Sequence, residues 1–289
     1  MKILILGGTG MLGSMLFKRL CNDSRYDVYA TIRSEKLLKY FDRDVVGKII
    51  NNCDIDNHEK LNDVISVLNP DAVINCIGLI KQVYSATDPI EMIKLNALFP
   101  HQLERIASTY NARTIHISTD CVFSGDVGNY SEDDLPDALD IYGRSKSLGE
   151  LRGEKSITLR TSIIGHELEG QRGLLEWFLS TRGICDGYTK AIFSGFPTII
   201  LSEIIANTVL QMPEMSGIYH VASSPISKYD LLKLIAEIYS KTIDIHPSGK
   251  LVINRSLNPT KFNQLTGYKA PEWREMIETM YNNKYKREC

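Results

Sequence analysis

Two groups of residues stand at spacings that do chemistry. Gly7, Gly10 and Gly13 form a G-x-x-G-x-x-G turn directly after the apolar run Ile3 to Leu6 and ahead of the helix-like run Met11 to Leu20. A glycine-rich turn between a strand and a helix lets the backbone approach a diphosphate, whose charge then sits over the helix N-terminus. Gly7, Thr9, Gly10, Met11, Leu12 and Gly13 are therefore candidate contacts for a dinucleotide, against the alternative of an ordinary glycine turn. The second group is Tyr142 and Lys146, which lie one turn apart on one helical face. Tyr229 and Lys233 share that spacing and read as a plain surface helix. Tyr142 differs in its place, one helix after a strand that ends in Ser118-Thr119.

Such residues need a scaffold, and the pattern of the chain supplies one. Ile3 to Leu6 reads as a strand buried on both faces, as in a parallel sheet. Strands over Tyr26 to Ile32, Lys48 to Asn51, Ala72 to Gly78, Thr114 to Ile117 and Ser156 to Arg160 alternate with helices. One helix runs from Asn57 to Leu68, and another from Pro89 to Tyr110 with Asp88 as N-cap and a kink or break at Pro100. A further helix begins near Asp140 and carries Tyr142 and Lys146. This alternation predicts an α/β protein, a Rossmann-type doubly wound parallel sheet over residues 1–164. The rhythm then changes. Helices over Leu174 to Leu179, Leu201 to Leu210, Lys228 to Tyr239, Asn258 to Leu265 and Pro271 to Tyr281, with a strand at Gly217 to Val221, suggest a smaller, irregular C-terminal α/β lobe. The expected division gives residues 165–196 and 222–289 to that lobe, with a return to the first domain around 197–221.

The second strand bears on cofactor choice. Its far end carries Thr31, Arg33 and Ser34 where a carboxylate would favour NAD, and Asp27 lies at the wrong end. A guanidinium at Arg33 pairs with a 2′-phosphate and favours NADPH, unless it is simply a solvated surface residue. Asp54 and Ile55 follow the third strand, and the carboxylate either meets the adenine amino group or caps the next helix. Cys76, Ile77 and Gly78 leave the fourth strand, where glycine allows a ribose close to the backbone.

Composition bounds the class of protein. The chain has 289 residues, 43% hydrophobic and 24% charged, enough for a large soluble core. A net charge of −2 argues against a broad surface for nucleic acid. No apolar run reaches membrane-spanning length, the N-terminus reads as a core strand rather than a signal peptide, and six scattered cysteines suit free thiols in the cytoplasm. No metal site is expected.

The glycine turn, Ser118-Thr-Asp-Cys-Val-Phe123, Tyr142-Gly-Arg-Ser-Lys146 and Arg160-Thr-Ser together resemble an extended short-chain dehydrogenase/reductase. Within that family the chain is similar to the dTDP-4-dehydrorhamnose reductases, a similarity that continues through Phe196-Pro-Thr198, Gly217 to Val221, Arg255 to Asn258 and Trp273-Arg274. The resemblance implies a catalytic trio of Thr119, Tyr142 and Lys146, with the last two also touching cofactor. Thr119, Lys81, Asp120, Cys121, Trp177 and Arg255 are the expected substrate contacts. It implies NADPH-dependent reduction of a nucleotide-activated 4-keto-6-deoxy sugar for surface polysaccharide, without nucleic acid or membrane as partner, and a homodimer. An epimerase retaining NAD and a non-catalytic NADP-binding regulatory subunit are the alternatives. Cys121 departs from the tyrosine usual in the family, and Gly78-Leu-Ile-Lys81-Gln82 with Asn96 resembles reductases of surface-polysaccharide sugars.

In such a reaction Tyr142 supplies the proton. A free phenol titrates near pH 10, so the Lys146 ammonium and a positive nicotinamide are expected to bring it down. Thr119 donates a hydrogen bond to the carbonyl oxygen, or else bonds its own backbone as a strand-end hydroxyl. Gly170-Gln-Arg-Gly173 ahead of an apolar helix suits a diphosphate, with Arg255 as a second cation and Trp177, Phe193 or Phe196 stacking; singly, each has a bland reading as surface charge or core aromatic.

Overall fold

A computed structural model describes residues 1–54, 57–80 and 88–285. The chain opens with β1 (Lys2–Leu6), α1 (Met11–Cys21), β2 (Asp27–Thr31), β3 (Ile49–Ile50), α2 (His58–Leu68) and β4 (Ala72–Asn75). It continues through α3 (Pro89–Met92), a π-helical turn at Ile93–Leu98, α4 (Phe99–Thr109), β5 (Arg113–Thr119), α5 (Ile141–Leu148) and β6 (Ser156–Thr161). After β7 (Ile163–Ile164), α6 (Leu174–Ser180), β8 (Ile184–Phe193) and β9 (Phe196–Pro197) come α7 (Thr198–Asn207) and β10 (Gly217–His220). The last elements are β11 (Ile226–Ser227), α8 (Lys228–Ile238), β12 (Asp244–Asn254), α9 (Thr260–Thr266) and α10 (Trp273–Tyr285).

Seven strands form one parallel sheet in the order β10-β6-β5-β4-β1-β2-β3. Side chains alternate along β1, so Ile3 and Ile5 face the core shared with Leu16 and Phe17 of α1 and Leu201 and Ile205 of α7. Leu4 and Leu6 face the opposite core, with Leu61 and Ile65 of α2 and Phe99 and Leu103 of α4. Burial on both faces is why these strands read as continuous apolar runs. Leu201 is fully buried, and its truncation to alanine costs about 2–5 kcal/mol. Chain connections leave β1 and β4 in opposite directions, which opens a crevice at their carboxyl ends.

Helix Pro89 to Tyr110 does not break at Pro100. Asp88 caps it by accepting from the Ile90 amide at 2.9 Å, and the turn before Pro100 widens into the π form. Proline cannot donate to the Asn96 carbonyl and its ring would crowd that oxygen, so the wider turn removes the conflict. Gly149 packs on the freed carbonyl: a Cβ there would stand 1.9 Å from Asn96 O.

The second half is more regular than its sequence suggests. β8 lies parallel to β12 and antiparallel to β11 in a three-stranded sheet. Strand β12 alternates poorly, with most of its residues exposed and Pro247 and Gly249 inside it, which hides it from period-2 reading. Among the described residues no helix is long and apolar enough to cross a membrane.

Candidate active site

The crevice is built first by the glycine turn. Gly7 takes φ of +84°, a left-handed conformation that favours glycine. Its carbonyl accepts from Gly10 N at 3.0 Å, and a Cβ on Gly13 would lie 2.2 Å from that same oxygen. The first turn of α1 therefore sits directly on the end of β1, and its N-terminus has no side-chain cap. This is a cradle of backbone amides that a diphosphate fits. Across the crevice, Gly7 meets Ile77, and Cys76 lies behind the turn with its thiol pushed up to about 12 by burial. Arg33 is exposed just past β2 and makes no hydrogen bond or ion pair with a described residue. Asp54 is exposed and does not cap α2; Asn57 does, accepting from Lys60 N at 2.9 Å. Ile55 and Lys81 lie outside the described residues.

The catalytic end lies where β5 stops. Thr119 Oγ1 accepts from Cys121 N at 3.1 Å and donates to Asp120 Oδ1 at 3.1 Å, and its side chain lowers the Tyr142 phenol against burial. The backbone reading of Thr119 is met: its hydroxyl closes its own turn on Cys121 N. Asp140 caps α5 by accepting from Gly143 N at 2.9 Å, which sets the start of the helix that carries Tyr142 and Lys146. Gly143 lets α5 come down on the turn after β5, since a Cβ there would lie 2.2 Å from Cys121 O. Burial raises the Tyr142 phenol, Cys121 and Asp120 push the same way, and the Thr119 side chain opposes them. Burial penalises phenolate and sets the direction, so the residue is held as a proton donor.

Lys146 is buried, and its Nζ donates to Ile117 O at 2.7 Å and lies 3.4 Å from His116 Nε2. Burial pushes its ammonium down to about 8, against the pull of Glu150 and Cys76. A Cβ on Gly78 would stand 3.8 Å from this Nζ and 3.3 Å from Asn96 Oδ1. Asn96 in turn accepts from Leu79 N at 2.9 Å and donates to Leu79 O at 3.1 Å, clamping the exit of β4 beside the lysine. Behind this end, the fully buried Arg160 forms two 2.7 Å bonds to Glu150, which also accepts from Ser118 at 2.8 Å. That network ties β5 to β6, one residue from Thr119.

The expected substrate contacts divide. Asp120 is buried and its carboxyl is raised by burial, against the pull of Arg255. Arg255 donates to Phe123 O at 2.8 Å and reaches Cys121 Sγ at 3.6 Å, so it joins the catalytic loop. It does not stand over Gly170 to Gly173. There, Glu167 Oε2 takes the amides of Arg172 at 2.8 Å and Gly173 at 3.2 Å, and α6 has only seven residues. A carboxylate already occupies the place expected for a diphosphate. Gly173 packs toward Met11 instead, where a Cβ would come within 2.6 Å of the Met11 Cε. Trp177 is 41% exposed on α6, whereas Phe193 and Phe196 are buried core aromatics.

Sequence reading missed Lys228, at the start of α8, whose Nζ lies 4.3 Å over the Phe193 ring and whose charge interacts with Asp120 and Cys121. It also missed His116 and Asn75, buried polar residues inside strands. The only signal in sequence was a polar residue breaking an apolar strand run. Tyr229 and Lys233 pair on α8 with Nζ 5.3 Å from the ring centre, a surface-helix contact. Among the described residues no cluster of His, Cys, Asp and Glu is placed to hold a metal ion.

Residues 1–286 match the family described as RmlD substrate binding domain. A dTDP-4-dehydrorhamnose reductase of Aggregatibacter actinomycetemcomitans is 26% identical to this chain, covering 96% of it and 98% of that protein. Methionine adenosyltransferase 2 subunit beta of Xenopus laevis is 24% identical, over 83% of this chain and 72% of its own. Among solved structures, a dTDP-4-dehydrorhamnose reductase of Bacillus anthracis in complex with NADP has the same fold, with a TM-score of 0.80 at 23% identity over 98% of this chain and 99% of that one.

Proposed function

Because the chain belongs to the RmlD substrate-binding domain family, we propose that it is an NADPH-dependent reductase of a nucleotide-activated 4-keto-6-deoxy sugar. Its place is then the making of deoxysugars for surface polysaccharide, in the cytoplasm and as a homodimer. The observation that carries the chemistry is the meeting of Thr119, Tyr142 and Lys146 at one end of β5, beside Gly78.

Gly7, Gly10 and Gly13 with the N-terminus of α1 would hold the diphosphate of the dinucleotide, Arg33 its 2′-phosphate, and Gly78 with Lys146 its nicotinamide ribose. When bound, NADPH supplies a hydride to the carbonyl carbon. Tyr142 gives its phenolic proton to the oxygen as negative charge grows there, a role suited to a buried phenol that stays protonated. The Thr119 hydroxyl now donates to Asp120 and turns to the same oxygen, stabilising it. Lys146, held by Ile117 O one helical turn after Tyr142, would supply the positive charge that steadies the phenol as it loses its proton. Arg255, Lys228 and Asp120 line the substrate side.

Other readings lose ground on particular residues. A retained NAD calls for a carboxylate past β2, where Arg33 stands. A regulatory subunit has no need of Thr119, Tyr142 and Lys146 together. The test offers the protein and NADPH a panel of 4-keto-6-deoxy sugars on dTDP, UDP and GDP, with the product identified by NMR and the oligomer by light scattering. Tight NADPH binding without oxidation on any of them would overturn the reductase in favour of the regulatory reading.

A further inference from the structure

We propose that His116 is a positioning residue for Lys146, held by Asn75 as the Nε2–H tautomer so that a ring N–H, not a lone pair, faces the lysine amine. His116 is fully buried in β5, between Asn75 of β4 and Lys146 of α5. Its Nδ1 lies 3.1 Å from Asn75 Nδ2, and its Nε2 lies 3.4 Å from Lys146 Nζ. The orientation of the Asn75 amide is set on its other side, where Oδ1 accepts the Ile77 amide at 3.0 Å. The amide nitrogen is therefore the atom turned to the ring, and an amide nitrogen only donates. Nδ1 must accept, which places the single proton of the neutral imidazole on Nε2.

That N–H changes what the lysine prefers. Facing a neutral amine it makes a hydrogen bond; facing an ammonium it sets donor against donor. The imidazole cannot relieve the conflict by moving its proton to Nδ1, because Asn75 would then have to turn its oxygen to the ring and lose Ile77. Nor does it charge: burial, then Lys146 and His101, push it well below its ordinary range. The other groups that face Lys146 favour the ammonium: Glu150 at the end of α5, Cys76 at the exit of β4, and the Ile117 carbonyl. Tyr142 stands one turn earlier on the same helix. His116 is the group that pulls the other way, and it sits three residues before the catalytic Thr119 on the same strand. It thereby lowers the pH at which the charge beside Gly78 is lost, without touching substrate or cofactor.

The tautomer is read directly by long-range proton–nitrogen NMR of histidine-labelled protein, and the wild type needs no variant to answer. The expected spectrum is a neutral Nε2–H ring that does not titrate between about pH 6 and 8.5; an Nδ1–H ring or an imidazolium in that range overturns the proposal. Asn75→Asp replaces the donor with an acceptor and should turn His116 to Nδ1–H, whereas an unchanged tautomer would show that Asn75 is not the lock. In His116→Leu the Lys146 titration, followed through its labelled ε-carbon, should rise by about half to one pH unit. A lysine titration that stays in place overturns the proposal. The kinetic arm alone rests on the reductase reading: the alkaline limb of kcat/KM should move up with the lysine while the KM for NADPH holds. A lysine that moves in a protein that reduces no sugar leaves the proposal standing and faults that reading.

Discussion

Gly10 and Gly13 separate what the turn does for the fold from what it does for a ligand. At Gly13 a methyl would be driven to 2.2 Å from Gly7 O and 2.9 Å from Gly7 C, both backbone atoms that cannot swing away. Overpacking of that kind costs about 1–3 kcal/mol. With unfolding entropy near 2.1 cal/mol/K per residue, the loss in a chain of 289 residues is about 2–5 °C in Tm. At Gly10 the nearest atom is Gly7 O at 3.4 Å, and the backbone has φ −69° and ψ 162°, open to any residue. Gly10→Ala should hold its Tm or gain slightly, since alanine loses less chain entropy on folding. Its methyl nonetheless fills space over the uncapped start of α1, where the diphosphate would lie, so NADPH binding by calorimetry should weaken tenfold or more, about 1.4 kcal/mol. Gly13→Ala should lose both stability and binding. Wild-type NADPH affinity in a folded Gly10→Ala protein would refute the cradle, and an unchanged Tm in Gly13→Ala would refute the packing argument.

Tyr142→Phe should keep NADPH binding and lose about 10²–10⁴-fold in reduction, while Tyr229→Phe is nearly silent; equal losses at both positions would sink the assignment. Arg33→Ala should weaken NADPH about tenfold and leave NADH unchanged, as expected for one charge-assisted pair; equal effects on both cofactors would remove Arg33 from the 2′-phosphate. His220 is pushed down to about 3 by burial and then by Arg160, and His116 is pushed well below its ordinary range, so both stay neutral in the fold while an unfolded histidine charges. The unfolded chain then binds more protons below about pH 6.5, and stability is lost as pH falls from there through the folded values. A Tm that stays level between pH 7 and 5 would contradict this. Asp120 works in the opposite sense: its carboxyl is raised by burial, so the fold loses stability as pH climbs above the ordinary carboxylate range. Asp120→Asn should therefore raise Tm at neutral pH, and a lower Tm would show that its carboxylate is well paired there.

The sequence by itself determined the parallel sheet, because strands buried on both faces must be apolar throughout and Ile3 to Leu6 or Ala72 to Ile74 leave no other reading. It also determined the turn of Gly7, Gly10 and Gly13, where Gly7 takes a positive φ and Gly13 packs on the Gly7 carbonyl six residues earlier, and the Tyr142–Lys146 pair, whose spacing is a property of one helix. These are local facts, and local facts are written in local order. Tertiary structure decided everything that joins distant segments. Arg255 lies 134 residues from the Cys121 it reaches, and no spacing rule says that it turns there rather than toward Gly170 to Gly173. Glu167 silenced that segment by filling its amides, a competition between near neighbours that composition does not rank. The three-stranded sheet of β8, β11 and β12 stayed hidden because its strands are half-exposed, and pairing rather than hydrophobic period holds them. His116 and Asn75 read as interruptions in strands until β4, β5 and α5 met around them; the state of a buried ring is set by partners that only folding brings within 3.5 Å.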